Sequence, residues 1–206
     1  VAAAPEPDRI PVLGLTGAVA AGKSEALAAF ARHGAEVLST DAVVHELLAT
    51  ERVRDLLAGR WGADVAPEGE IDRARVGSIV FERPEELAWL EATLHPLVGE
   101  RIVAWRQTLD PGTPLAVIEV PLLFEADLDS VFDATVAVTA ADGLRVERAG
   151  ARGTLDLEQR AGRQLSQEEK AARATHVVEN DGSLEHLDRR VEALVAQVVG
   201  AEGDAD

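Results

Sequence analysis

Gly17-Ala18-Val19-Ala20-Ala21-Gly22-Lys23-Ser24 is the stretch on which the reading of this chain turns. Its spacing is glycine, four residues, glycine, lysine, hydroxyl, and each fixed position has a physical reason. The two glycines let the backbone curl so that successive N–H groups converge on phosphate oxygens. A helix N-terminus following at once adds partial positive charge. Lys23 can reach the outer phosphates of a nucleotide, and Ser24 can offer its hydroxyl to a magnesium ion. The flanks agree. Ile10 to Leu15 is a short apolar run, continued by Thr16, and Ser24 to Arg32 has helical spacing with Leu27, Phe30 and Ala31 on one side. Gly34 is a natural helix stop, and Glu36 to Ser39 reads as a second strand. Strand, glycine loop, helix, strand is the start of an α/β fold with a parallel sheet and helices on both faces.

Three more strands are expected at Leu115 to Val120, Ala134 to Val138 and His176 to Glu179, five in all. Leu184 to Val199 places Leu187, Val191, Leu194, Val195 and Val198 at amphipathic helix spacing, which should close the domain. Two segments break the alternation. Asp41 to Leu109 is helical without a convincing strand, and Leu144 to Arg173 is charged and helical. The expected organisation is one domain over residues 10–200, with core segments 10–40, 112–143 and 174–200. A helical insertion over 41–111 and a lid over 144–173 interrupt it, and residues 1–9 and 201–206 are expected to be loose tails.

The formal net charge is −17, so general affinity for nucleic acid or an anionic membrane is disfavoured. A phosphate-binding chain of this balance must gather its positive charge locally. Between Arg145 and Arg173 there are seven basic and five acidic residues, a net-positive window in an acidic chain. Arg148 and Arg152 are four apart and would share a helix face, and Arg160 and Arg163 form a second pair. Such a segment suits a lid that closes over a transferring phosphoryl group, although a solvated helix with ion pairs to Glu147, Asp156 and Glu158 has the same composition. No run is long and apolar enough for a membrane span, and Val1 to Arg9 lack the pattern of a secretory signal. The absence of cysteine is compatible with a cytoplasmic setting. The five histidines are scattered without zinc spacing.

Two carboxylates stand out. Asp41 lies just past the second strand, on the edge of an open sheet where ligands bind. It could take a proton from an attacking hydroxyl, hold magnesium through water, or cap the helix Ala42 to Leu48. Glu119 is a lone acid in an apolar strand, suited to a magnesium-water role or to a partly solvated edge.

These residues together resemble the dephospho-coenzyme A kinases. The likeness runs from Leu13-Gly14-Leu15-Thr16-Gly17 through Ser24, then Val37 to Asp41 and His45-Glu46-Leu47-Leu48. It continues in Val80-Phe81, Leu94-His95-Pro96 and Pro121-Leu122-Leu123-Phe124-Glu125, and ends with Arg148, Arg152, Arg160, Gln164 and Asn180-Asp181-Gly182-Ser183. The resemblance implies transfer of the ATP γ-phosphoryl group to the ribose 3′-hydroxyl of dephospho-coenzyme A, with Mg2+, on a P-loop kinase fold with a helical acceptor domain and a lid. It implies Asp41 as catalytic base, with Lys23 and Arg152 in catalysis. It implies nucleotide contacts from Gly17, Ala18, Val19, Ala20, Ala21, Gly22, Lys23, Ser24, Glu25, Arg148 and Asn180. Acceptor contacts would come from Thr16, Asp41, His95 and Leu122, and the magnesium site from Ser24 with Glu119 as a further candidate. The chain departs from the family pattern in its alanine-rich loop, in Glu25 after Ser24, and in Ser39-Thr40. An alanine in the loop would be strained at positive φ. Another P-loop kinase acting on a nucleoside or nucleotide would look similar, and a regulatory P-loop ATPase is the reading from a different class. No Asn-Lys-x-Asp guanine motif occurs.

Overall fold

The structure, a computed structural model, describes residues 9–151 and 164–203. Five strands form one sheet: β1 (Val12–Gly17), β2 (Glu36–Ser39), β3 (Ala116–Glu119), β4 (Ala134–Thr139) and β5 (His176–Glu179), in spatial order β2-β3-β1-β4-β5. β1 is central and pairs in parallel with β3 on one side and β4 on the other. β4 in turn pairs in parallel with β5. A parallel strand covered on both faces should be apolar at every position rather than at alternate ones. β1 is buried at all six positions and apolar at all but Thr16, whose hydroxyl is hydrogen-bonded inside. The expected α/β class and five-stranded parallel sheet are therefore present.

Helix α1 (Lys23–Arg32) leaves the loop after β1 and buries Ala26, Leu27, Ala29 and Phe30. The last helix packs on α1 and β5; it is designated α8 (Leu184–Gly203). Between them lie α6 (Asp142–Ala151) and α7 (Gln167–Arg173). The core joins Leu13 and Leu15 of β1, Phe30 of α1, Val117 of β3, Val136 of β4, and Leu187 and Val191 of α8. Arg152, Arg160 and Arg163, with Asp156 and Glu158, lie outside the described residues.

The chain divides into two compact units, one of Val1–Leu38 with Asp110–Asp206 and the other of Ser39–Leu109. The second unit is helical: α2 (Thr40–Leu48), α3 (Glu51–Trp61), α4 (Arg73–Glu82) and the 24-residue α5 (Pro84–Gln107). It holds α2 against α5 and α4 against α5. Its buried polar centre is Glu86, whose two carboxylate oxygens accept from Arg60 at 2.9 and 3.1 Å and from the Trp61 indole N–H at 2.8 Å. Arg60 also lies over the Trp89 ring, 5.2 Å from its centroid, and Trp61 meets Trp89 edge to face. A bidentate guanidinium pair of this kind is among the stronger polar contacts available to a small helical unit.

The Arg60 hydrogen bonds, followed by that from Trp61, hold the Glu86 carboxyl below its ordinary value of 4.5. A carboxyl whose folded value is depressed contributes stability above its unfolded value, and loses it as pH falls toward the folded one. All three tryptophans, Trp61, Trp89 and Trp105, lie in the Ser39–Leu109 unit, so indole fluorescence reports on that unit. Glu86→Gln should therefore lower its stability at pH 7, and the gap from wild type should close as pH drops below about 4.5. A gap that stays constant across this range in urea titrations would mean that the contact acts through packing rather than charge.

Candidate active site

The loop between β1 and α1 is shaped by two close approaches. Gly17 pairs with Val138 of β4, and a Cβ on Gly17 would stand 2.5 Å from the Val138 carbonyl oxygen. Gly22, the N-cap of α1, has φ 98° and faces the Asn180 amide so closely that a Cβ there would collide with Nδ2. Both glycines of the motif are thus fixed by neighbours in this fold.

The loop carbonyls are tied back one after another. Lys23 Nζ donates to the carbonyls of Gly17 at 3.1 Å and Ala18 at 3.2 Å. Arg145 Nε donates to the Val19 carbonyl at 3.1 Å, and Asn180 Nδ2 to the Ala21 carbonyl at 2.9 Å. The Ala21 N–H turns back to the Ala18 carbonyl at 3.2 Å, so the other loop N–H groups and the first-turn N–H groups of α1 are the donors left for an anion. Ser24, second residue of α1, is exposed, as is Glu25. Asn180 is buried and joins three elements. Its N–H donates to Thr139 at 2.7 Å, its amide holds the loop, and its carbonyl accepts from Arg148 Nη2 at 3.0 Å. Arg148 Nη1 is buried without a hydrogen-bond partner among the described residues. A buried guanidinium nitrogen aimed beside a phosphate-loop motif is a donor lacking an acceptor, which an anionic ligand would supply.

Glu119 ends β3 opposite Leu15, is 6% exposed, and has no polar partner among the described residues. A carboxylate so placed, next to the strand that enters the loop, fits a cation held through water. No group of three or more His, Asp or Glu side chains among the described residues could hold a metal by itself. Magnesium carried with nucleotide phosphates needs only one or two protein ligands, so Ser24 and Glu119 fit it.

Behind the loop lies a feature with little sequence signal. Lys170 of α7 is fully buried, and its ammonium donates to the Pro121 carbonyl at 2.7 Å and to Thr16 Oγ1 at 3.4 Å. It also pairs with Glu125 Oε1 at 2.9 Å. Glu125 Oε1 accepts the Leu165 N–H as well, at 2.9 Å, so one carboxylate secures the chain where it enters α7. Thr16 is fully buried, with its hydroxyl donating to the Pro121 carbonyl at 3.1 Å. Leu122 is half-buried in the turn after β3. Asp41 and His95 belong to the Ser39–Leu109 unit, where both are exposed. Asp41 does not cap a helix. α2 begins at Thr40 with Ser39 as N-cap, which puts Asp41 in the first turn, where the helix dipole favours a negative charge.

The chain matches a family model described as dephospho-CoA kinase over residues 11–186. A dephospho-CoA kinase from Thermobifida fusca is 37% identical over 184 residues, 87% of this chain and 92% of the relative. A crystal structure from Thermus thermophilus superposes with a TM-score of 0.80 at 35% identity, covering 92% of this chain and 99% of that one. A dephospho-CoA kinase structure from Campylobacter jejuni, at 24% identity, shares the fold with a TM-score of 0.67 over 92% of this chain and 98% of its own.

Ala20 has φ 60°, a left-handed conformation that costs a non-glycine residue about 1–2 kcal/mol. Glycine would remove that strain but add about 0.4–1 kcal/mol of unfolded-chain entropy. Ala20→Gly should thus raise stability by up to about 1.6 kcal/mol in chemical denaturation. An ordinary destabilising alanine-to-glycine effect would show that the loop does not hold this conformation in solution.

Proposed function

We infer the activity from a plain premise: this chain belongs to the dephospho-CoA kinase family. It transfers the γ-phosphoryl group of ATP to the ribose 3′-hydroxyl of dephospho-coenzyme A, giving coenzyme A and ADP. The observation that carries this reading is the phosphate cradle at Gly17–Ser24, with its carbonyls tied back by Lys23, Arg145 and Asn180, in a chain matched over nearly its whole length. The same cradle would serve a kinase for another nucleotide or an ATPase without acceptor. The family match favours dephospho-coenzyme A over both.

In the transfer, the 3′-oxygen bonds to the γ-phosphorus as the bond from that phosphorus to the β,γ-bridging oxygen breaks. ADP leaves with the electron pair, and we assign the hydroxyl proton to the Asp41 carboxylate. An alcohol is too weakly acidic to ionise freely near neutrality, so a positioned carboxylate assists as the oxygen becomes acidic during bond formation. Loop N–H groups from Gly17 to Glu25 hold the phosphates, with Lys23 on the β- and γ-phosphates. Arg148, through its unpartnered Nη1, and Asn180 complete the nucleotide side. Bound Mg2+ supplies charge neutralisation on the phosphates, and Ser24 with Glu119 would hold it. Arg152 is assigned to charge stabilisation from the family resemblance, and His95 and Leu122 to the acceptor. Thr16 supports the loop from beneath, since its hydroxyl is bonded inward. The cytoplasm, with its ATP pool, is the setting we assign to the reaction.

The experiment is an ADP-release assay run with and without dephospho-coenzyme A. ADP release that ignores the acceptor would establish the ATPase reading, and preference for another nucleoside or nucleotide would establish the alternative kinase. Two variants test the assignments. Lys23→Ala should fold and lose turnover. Asp41→Asn should keep its fold and near-normal KM values while losing kcat by about 10²–10⁴-fold. Near-full activity in folded Asp41→Asn would remove Asp41 as the base.

A further inference from the structure

The helical Ser39–Leu109 unit carries a cationic constellation that the reading so far leaves unused. Arg73, first residue of α4, donates from Nη1 to His45 Nδ1 of α2 at 2.9 Å. A guanidinium can only donate, so His45 Nδ1 must be the accepting nitrogen, and its proton sits on Nε2. The pair therefore presents donors alone: the remaining guanidinium N–H groups and the imidazole Nε2–H. Both residues are exposed.

Three other arginines of this unit are taken up by carboxylates. Arg54 pairs with Glu51 and Asp55, Arg60 with Glu86, and Arg75 with Asp64, at 2.9 to 3.2 Å. Arg73, like Arg83, Arg101 and Arg106, has no carboxylate partner among the described residues, but of these four it is the one hydrogen-bonded to a side chain of α2, in a chain with 37 acidic residues against 20 lysines and arginines. The adjacent acid, Asp72, is engaged elsewhere, capping α4 by accepting the Arg75 N–H at 3.0 Å. In so acidic a chain, an arginine seated on a neutral imidazole rather than a carboxylate has its fork open to an anion.

The position of that fork indicates which anion. His45 lies four residues after Asp41 on α2, so the two share a face one turn apart, about 5–6 Å between Cβ atoms. The opposite face of α2 is buried through Val43 and Leu47. We propose that Arg73, held by His45, binds the 5′-diphosphate of the acceptor while Asp41 takes the proton of the 3′-hydroxyl on the same ribose. This inference rests on the activity and on the assignment of Asp41 given above. Arg73, bonded to the side chain one turn along α2 from Asp41, thus brings a cation to the helix face that carries the carboxylate, as an acceptor with a 3′-hydroxyl and a 5′-phosphate on one ribose requires. It would make the acceptor's diphosphate a condition for tight binding, favouring a nucleotide over a nucleoside.

The test uses the full-length protein with two acceptors, dephospho-coenzyme A and adenosine, which has the same ribose hydroxyl and no diphosphate. Arg73→Ala should raise KM for dephospho-coenzyme A roughly 10–100-fold, the effect of losing a hydrogen bond to a charged group. It should leave KM for ATP and kcat/KM for adenosine near wild type. Arg73→Lys should fall between, keeping the charge without the fork. Arg75→Ala, on the same helix and paired with Asp64, is the control that should not change KM. If Arg73→Ala keeps a wild-type KM for dephospho-coenzyme A, or loses equally with adenosine, the proposal is wrong and Arg73 is structural. If wild type shows no transfer to dephospho-coenzyme A, the proposed activity fails and this inference fails with it. Wild-type transfer with an unaffected Arg73→Ala sinks this inference alone.

Discussion

A loop can present its N–H groups to an anion only if its carbonyl oxygens are turned away and kept there. In this chain that constraint is met by three donors from three places. Lys23 comes from the helix that follows the loop, Arg145 from α6, and Asn180 from the turn after β5. The sheet order brings them together, because β4 lies beside β1 and β5 beside β4. The carboxyl ends of β4 and β5 thus deliver α6 and Asn180 to the flank of the loop. The two fixed glycines follow from the same crowding. Gly17 yields to the Val138 carbonyl and Gly22 to the Asn180 amide, so the motif records the fold as well as the ligand.

The same arrangement explains how an acidic chain holds a polyanion. A net charge of −17 repels nucleotide at long range, so binding must rely on groups close to the phosphates. Lys23 and Arg148 lie at the loop, while Lys170 is buried behind it, paired with Glu125. A buried lysine is tolerable only with its donors satisfied, and Pro121, Thr16 and Glu125 supply three acceptors. Removing one member of such a pair typically costs about 3–5 kcal/mol, because the other charge remains buried. Lys170 therefore braces the floor of the loop and secures the chain entering α7.

How much of this was legible in the sequence depended on the range of the interactions involved. β5 falls at His176–Glu179, the stretch that the turn Asn180-Asp181-Gly182 ends. β1 runs two residues beyond its apolar run, to Gly17, because Thr16 and Gly17 continue to pair with Ala137 and Val138. The loop motif was readable because its chemistry is local. Lys170 and Arg145 were not, since a buried lysine and a loop-holding arginine look like surface residues until partners 154 and 126 positions away are brought to them. Asp41 was misjudged as a cap candidate because Ser39-Thr40 offered an earlier start, and α2 takes it directly from the end of β2. The Glu86 cluster was unreadable for the same reason as Lys170. A glutamate in a charged helix gives no sign that Arg60 and Trp61, on another helix, will enclose it.

The direct passage from β2 into α2 has a mechanical consequence for Asp41. Ser39 is both the last residue of β2 and the N-cap of α2, so no linker separates sheet strand from helix. Asp41 is therefore carried in the first turn of a helix rather than on a loop. Side chains on helices and strands hold geometry more tightly than those on loops, and proton transfer is sensitive to displacements of a fraction of an ångström. One turn further along α2, His45 accepts from Arg73 of α4. A carboxylate on α2 and a cation from α4 are thereby brought to the same face of α2, an arrangement suited to a ligand carrying both a hydroxyl and an anion.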